Sequence, residues 1–147
     1  MIDAERSVEI AASPATVYAV LADVERYPEW QPAVTGARPR ERDEHGRVAV
    51  VESRLDAGIR ELHLVLRYAY VTDERVSWSM VEGDVRDVHG AFEVSQRAGG
   101  VSAVTYRLSV DPGRRLGLLL RGPVLDRVRA KIVDGTLEQL GRRVGES

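Results

Sequence analysis

From Val34 to Val110 apolar side chains recur at every second position, and short turn signals interrupt them at hairpin spacing. The signals are Glu44-His45-Gly46, Asp56-Ala57-Gly58, Asp73-Glu74-Arg75, Glu82-Gly83-Asp84 and Ala98-Gly99-Gly100. A period of two places alternate residues on opposite faces of a sheet, so the run predicts six strands in an antiparallel meander with one apolar face. Leu62, Leu64, Leu66, Tyr68 and Tyr70 form one apolar set, opposed by Glu61, His63, Val65 and Arg67. Val76, Trp78 and Met80 form the next, then Val88, Gly90, Phe92 and Val94, then Val104, Tyr106, Leu108 and Val110. These sets are expected to line a concave side. Gly90, in mid-strand, is expected to mark a sharp bend.

Before the meander, Val8 and Ile10 belong to an alternating strand that runs into Ser13-Pro14. Ser13 suits an N-cap, and Pro14 suits the first helical position, where its missing N–H costs little. Val17, Val20, Leu21 and Val24 then recur at helical spacing with Tyr18 beside them, until Pro28 biases Tyr27 away from helical geometry. After the meander the chain turns at Asp111-Pro112-Gly113. A broad apolar stripe follows, with Leu125, Val128, Ile132, Val133, Leu137, Leu140 and Val144. Pro123 either opens this helix or marks a break after a short Leu116–Arg121 turn. Gly135 inside the helix costs about 1 kcal/mol against Ala. Close packing or a local bend is its expected reason.

The order of strand, helices, six strands and long helix covers nearly the whole chain. Together with the opening Ser7–Pro32, including Tyr27-Pro28-Glu29-Trp30-Gln31-Pro32, it resembles the START-like or SRPBCC superfamily, of the polyketide cyclase/dehydrase and lipid-transport type and its coenzyme-Q-binding branch. The resemblance implies an α+β helix-grip fold: a curved seven-stranded antiparallel sheet (β-α-α-β6-α) wrapped around a long C-terminal helix, as a single ligand-binding domain over residues 1–147. A strongly bent sheet leaves more volume than one helix fills. The family uses the remainder as a cavity for hydrophobic molecules.

The candidate ligand-binding residues are Trp30, Leu64, Leu66, Tyr68, Tyr70, Trp78, Met80, Phe92, Tyr106, Leu120, Val128 and Ile132. The aromatics on the inner face suit a planar or lipidic ligand, with the Tyr hydroxyls and the Trp N–H as polar handles; the same side chains also serve as core filler. Trp30 is weighed between a cavity mouth and a packing anchor, and packing is favoured. Leu116–Leu120, flanked by Arg114, Arg115 and Arg121, is weighed as a gate, a membrane contact or a cap on the core; the membrane contact is disfavoured.

Catalytic chemistry finds little support. His45 lies in a turn, His63 and His89 fall opposite the apolar sets, and no pair has metal-ligand spacing. There is no Gly-x-Ser-x-Gly elbow, Gly-x-Gly-x-x-Gly or P-loop, so no hydrolase triad, metal or nucleotide cofactor is expected. Glu52 and Arg54 stay open: they point inward if Val48 and Val50 do, outward if Ala49, Val51, Ser53 and Leu55 do. The cost of burying two charges favours outward.

In 147 residues there is no cysteine and a net charge of −2, which excludes thiol chemistry and gives no basic footprint for nucleic acid. The start lacks a signal pattern, and no apolar run approaches the ~20 residues of a spanning helix. A cytoplasmic monomer or homodimer is expected, without nucleic-acid partner or stable membrane insertion. Lys131 is the only lysine among 21 basic residues and asparagine is absent, a bias that points to a GC-rich bacterial genome.

Three functions are consistent with these residues. The first is binding of a lipid, polyketide or isoprenoid/quinone-like molecule between sheet and helix. The second is a polyketide aromatase/cyclase-dehydratase using the same cavity, with Tyr68, Tyr70 and Tyr106 as donors. The third is a protein-interaction module of the ribosome-associated or coenzyme-Q branch, whose local support is Arg121, Arg127, Arg129, Arg142 and Arg143 on the last helix.

Overall fold

The computed structural model describes residues 1–146; Ser147, the last residue of the expected domain, lies outside the described residues. The alternating segments form β1 (Ile2–Ile10), β2 (Val34–Arg42), β3 (Val48–Asp56), β4 (Glu61–Val71), β5 (Arg75–Gly83), β6 (Asp87–Arg97) and β7 (Val101–Asp111). They make one antiparallel sheet in the order β1-β7-β6-β5-β4-β3-β2. All five turn signals fall at hairpin connections, where Gly46 (φ 80°) and Gly58 (φ 91°) take the left-handed backbone that side chains disfavour.

The register decides the orientation left open in β3. Val51, Ser53 and Leu55 lie opposite Leu66, Leu64 and Leu62, whereas Glu52 and Arg54 lie opposite Val65 and His63. Glu52 and Arg54 therefore face outward. Glu52 pairs there with Arg40, whose hydrogen bond lowers its carboxyl pKa. Burial alone would not have decided this, because Val48, Val50 and Val51 are all buried.

Gly90 answers a steric need as well as the expected bend. A Cβ there would lie 2.6 Å from Trp78 Cζ2 and 2.6 Å from the Arg107 carbonyl oxygen. Its absence lets the indole of Trp78 lie across β6.

The first helix, α1 (Pro14–Ala22), begins as predicted, with Ser13 Oγ accepting the Thr16 N–H at 3.3 Å. The helical path continues beyond it as a 3₁₀ turn, Val24–Glu29, that includes Pro28. The hydroxyl of Tyr27 donates to the Leu21 carbonyl and ties this turn back onto α1. After β7 come α2 (Gly113–Leu119), a break, α3 (Pro123–Arg129), a π turn (Ala130–Asp134) and α4 (Gly135–Gly145). Pro123 thus opens the long helix, just past the break that follows a short one.

Gly135 is explained by close packing: a Cβ would sit 3.3 Å from Pro32 Cγ. Ion pairs secure the helix at other points. Arg6 of β1 meets Asp134 at 3.4 Å, Lys131 meets Asp56 at 3.1 Å, and Arg143 meets Glu29 at 2.8 Å. As half-exposed pairs these contribute little energy individually, so they serve mainly to fix the helix over the sheet.

The two halves of the concave face are filled differently. Under α1 and α4, Val17, Leu21, Val76, Val104 and Leu140 are essentially inaccessible. Val128 of α3 and Ile132 of the π turn are only half-buried, as are Leu108 and Val110 on β7.

Candidate functional site: a cavity under the last helix

The half-filled end encloses a cavity of about 140 Å³. Its floor is the apolar face of the strands, its roof is α3 with the π turn, and one wall is α2. The floor carries a chain of aromatics whose members lie on neighbouring strands. Ring centroids are 5.8 Å apart for Tyr68–Trp78, 5.2 Å for Trp78–Phe92 and 4.5 Å for Phe92–Tyr106. Tyr27 joins the chain edge-on at 6.3 Å from Tyr68. Tilted and edge-on rings at these separations are the arrangements aromatic pairs favour.

Nine of the twelve candidates line the cavity: Leu64, Leu66, Tyr68, Trp78, Phe92, Tyr106, Leu120, Val128 and Ile132. Trp30, Tyr70 and Met80 do not. Trp30 is buried edge-on against Tyr27 at 5.5 Å, the packing role favoured for it. Tyr70 sits at the other end of β4, where its hydroxyl donates to the Val48 carbonyl at 2.6 Å and Arg47 lies 4.7 Å over its ring. A register shift between Val65 and Leu66 interrupts the β4–β5 pairing near Met80, which is half-buried outside the cavity.

Alternation alone could not say which end of each inner face meets solvent and which meets packed helix. Ile2, Ala4 and Leu55 line the cavity without having been expected on the concave face, and Leu62 and Val88, expected on that face but not among the candidates, line it too.

Tyr68 and Tyr106 keep their hydroxyls uncommitted: no protein hydrogen bond holds either among the described residues. Burial pushes the Tyr68 phenol well above the ordinary tyrosine range and raises that of Tyr106 as well. Both remain protonated donors at any physiological pH. Gln31, Ser53 and Arg129 also line the cavity, and the nitrogens Gln31 Nε2 and Arg129 Nε are buried without a partner among the described residues. One signal for Arg129 was readable: it falls at i+4 from Leu125 and i−3 from Ile132, on the apolar stripe itself.

At the rim, α2 buries Leu116 while Leu118 and Leu119 are 60% and 58% exposed. Arg114, Arg115 and Arg121 flank them on the surface. The arginines of the last helix do not form one free cationic face, since Arg129 turns to the cavity, Arg142 pairs with Glu138 and Arg143 with Glu29. His45, His63 and His89 are exposed, and no metal-ligating cluster of three occurs among the described residues. No helix is long and apolar enough to cross a membrane.

A curved antiparallel sheet gripping a long helix over an apolar cavity defines the helix-grip class of ligand-binding folds. The family model for polyketide cyclase / dehydrase and lipid transport matches residues 1–145, and the chain belongs to that START-like family. Solved structures agree on the fold. A START superfamily protein from Mycobacterium smegmatis is 18% identical with a TM-score of 0.84, covering 98% of this chain and 97% of that one. A protein from Thermus thermophilus is 20% identical with a TM-score of 0.82, covering 99% and 98%. The aromatase/cyclase Zhui from Streptomyces sp. R1128 is 18% identical with a TM-score of 0.72, covering 99% and 92%. No curated protein sequence matches the chain.

Proposed function

We propose that this protein binds a hydrophobic small molecule in the cavity between the sheet and α3, as a cytoplasmic monomer or homodimer without a nucleic-acid partner. The observation that carries the reading is the contrast between the two ends of one continuous core. The α1–α4 end is packed, whereas the α3 end keeps a cavity walled by Leu64, Leu66, Val128 and Ile132 and floored by rings. A cavity of this size has room for a benzene-sized guest. Lipids, polyketides and isoprenoid or quinone-like molecules share such an apolar body. One ring burying about 200 Å² gains about 5 kcal/mol of transfer free energy, from which the cost of association is subtracted. Longer ligands gain more contact if α2 moves aside at the 120–122 break.

Calorimetric titration with a one-ring apolar probe tests this. Saturable one-to-one binding is expected in the wild type. Leu108→Trp, which places an indole in the cavity from β7, should weaken it at least tenfold, with the circular dichroism of the variant checking that it is folded. Equal binding by both proteins would contradict the assignment.

A second reading, the aromatase/cyclase-dehydratase, draws on one observation: Tyr68 and Tyr106 are protonated phenols on the cavity wall without protein partners among the described residues. Such donors polarise carbonyls of a folded chain held between them. Tyr70 leaves that donor set because its hydroxyl is already committed.

A further inference from the structure

Burial without a partner is costly for a polar nitrogen, and this cavity has two. Gln31 is 7% exposed and its Nε2 has no acceptor; Arg129 has a buried Nε with no acceptor and no carboxylate within ion-pair range among the described residues. Both side chains line the same cavity, Gln31 from the connection before β2 and Arg129 from the end of α3. Pro32, next to Gln31, packs close to Gly135 on the same long helix that carries Arg129.

An amide can offer either a donor or an acceptor, so Gln31 adapts to what it meets. A guanidinium offers only donors and a permanent positive charge, so Arg129 dictates the complement: an oxygen acceptor carrying negative charge. Arg129 is the one charged residue among those lining the cavity, and a single cation balances one charge, which suits a carboxylate better than a doubly charged phosphate.

We infer that the cavity recognises an apolar monocarboxylate, its ring or short alkyl body on the aromatic floor and its carboxylate held by Arg129 and Gln31. This rests on the reading of the cavity as a hydrophobic binding site and adds the polar end of the ligand. Arg129 supplies charge-assisted hydrogen bonds, Gln31 Nε2 supplies a neutral one, and the ligand in turn satisfies both buried nitrogens.

The test compares three probes of one shape, 3-phenylpropanoate, 3-phenylpropanamide and 3-phenylpropan-1-ol, by calorimetry at pH 7 with wild type, Arg129→Met and Gln31→Met. Wild type should bind the acid at least about tenfold tighter than the amide or alcohol. Arg129→Met should bring the acid down to the affinity of the alcohol while leaving the alcohol within about twofold, and Gln31→Met should lower the acid by a smaller factor. A wild type that binds the alcohol as well as the acid overturns the carboxylate assignment and leaves the hydrophobic cavity standing. Undiminished preference for the acid in a folded Arg129→Met also overturns it. Failure of all three probes to bind wild type overturns the cavity reading and this inference with it. Should Arg129→Met not fold, the wild-type ratio of acid to alcohol decides alone.

Discussion

At the scale of single residues, the pairing of Gly90 with Trp78 governs how the cavity floor is built. The indole occupies the space that any side chain at Gly90 would need, and the Arg107 carbonyl closes the other side. Both obstacles are a rigid ring and backbone, so neither yields cheaply. Gly90→Ala should therefore destabilise the protein by about 1–3 kcal/mol, the range of overpacked core sites. A shift in the urea midpoint at unchanged slope measures it. A variant within about 0.5 kcal/mol of wild type would show that the ring does not lie there. Alternation put Gly90 and Trp78 on one face without any sign that one exists to make room for the other, because that contact depends on the β5–β6 register.

At the scale of elements, the long helix has two interior glycines whose surroundings differ. Gly141 has open space where a Cβ would stand, with nothing within 4 Å, whereas at Gly135 a Cβ meets Pro32 Cγ at 3.3 Å. Helix propensity favours Ala at both sites by up to about 1 kcal/mol. Gly141→Ala is expected to keep most of that gain. Gly135→Ala should keep less or lose stability, and thermal melting of the two variants side by side tests the difference. Equal stabilisation would mean that Pro32 does not press on the helix. Helix boundaries were legible where local chemistry sets them, as with Ser13-Pro14 and Pro123. The π turn was not, since Ala130–Asp134 carries no glycine or proline and continues the same apolar stripe.

At the scale of the whole molecule, the order of elements and the seven strands could be read from periodicity and turn chemistry, whereas the cavity was implied by the family resemblance, and nine of the candidate residues line it. The polar end of the cavity could not be read, because Gln31 and Arg129 come from segments far apart in sequence and only the closed fold brings them to one space. The same closure affects the response to alkali. Desolvation raises the pKa of all five tyrosines, Tyr18, Tyr27, Tyr68, Tyr70 and Tyr106. The native state then holds its phenolic protons above pH ~10 while the unfolded chain releases them, so this contribution to stability is complete below about pH 10 and is lost as pH rises further. Tyrosinate absorbance should appear together with loss of near-ultraviolet dichroism; independent titration near pH 10 with the fold intact would contradict the burial. Binding in the cavity is tested most directly by methyl NMR during titration with an apolar one-ring probe. Methyls of Leu64, Leu66, Val128 and Ile132 are predicted to shift together and saturate while those of Val17, Leu21 and Leu140 stay fixed. No saturable shift, or shifts confined to the exposed Leu118 and Leu119, would contradict it.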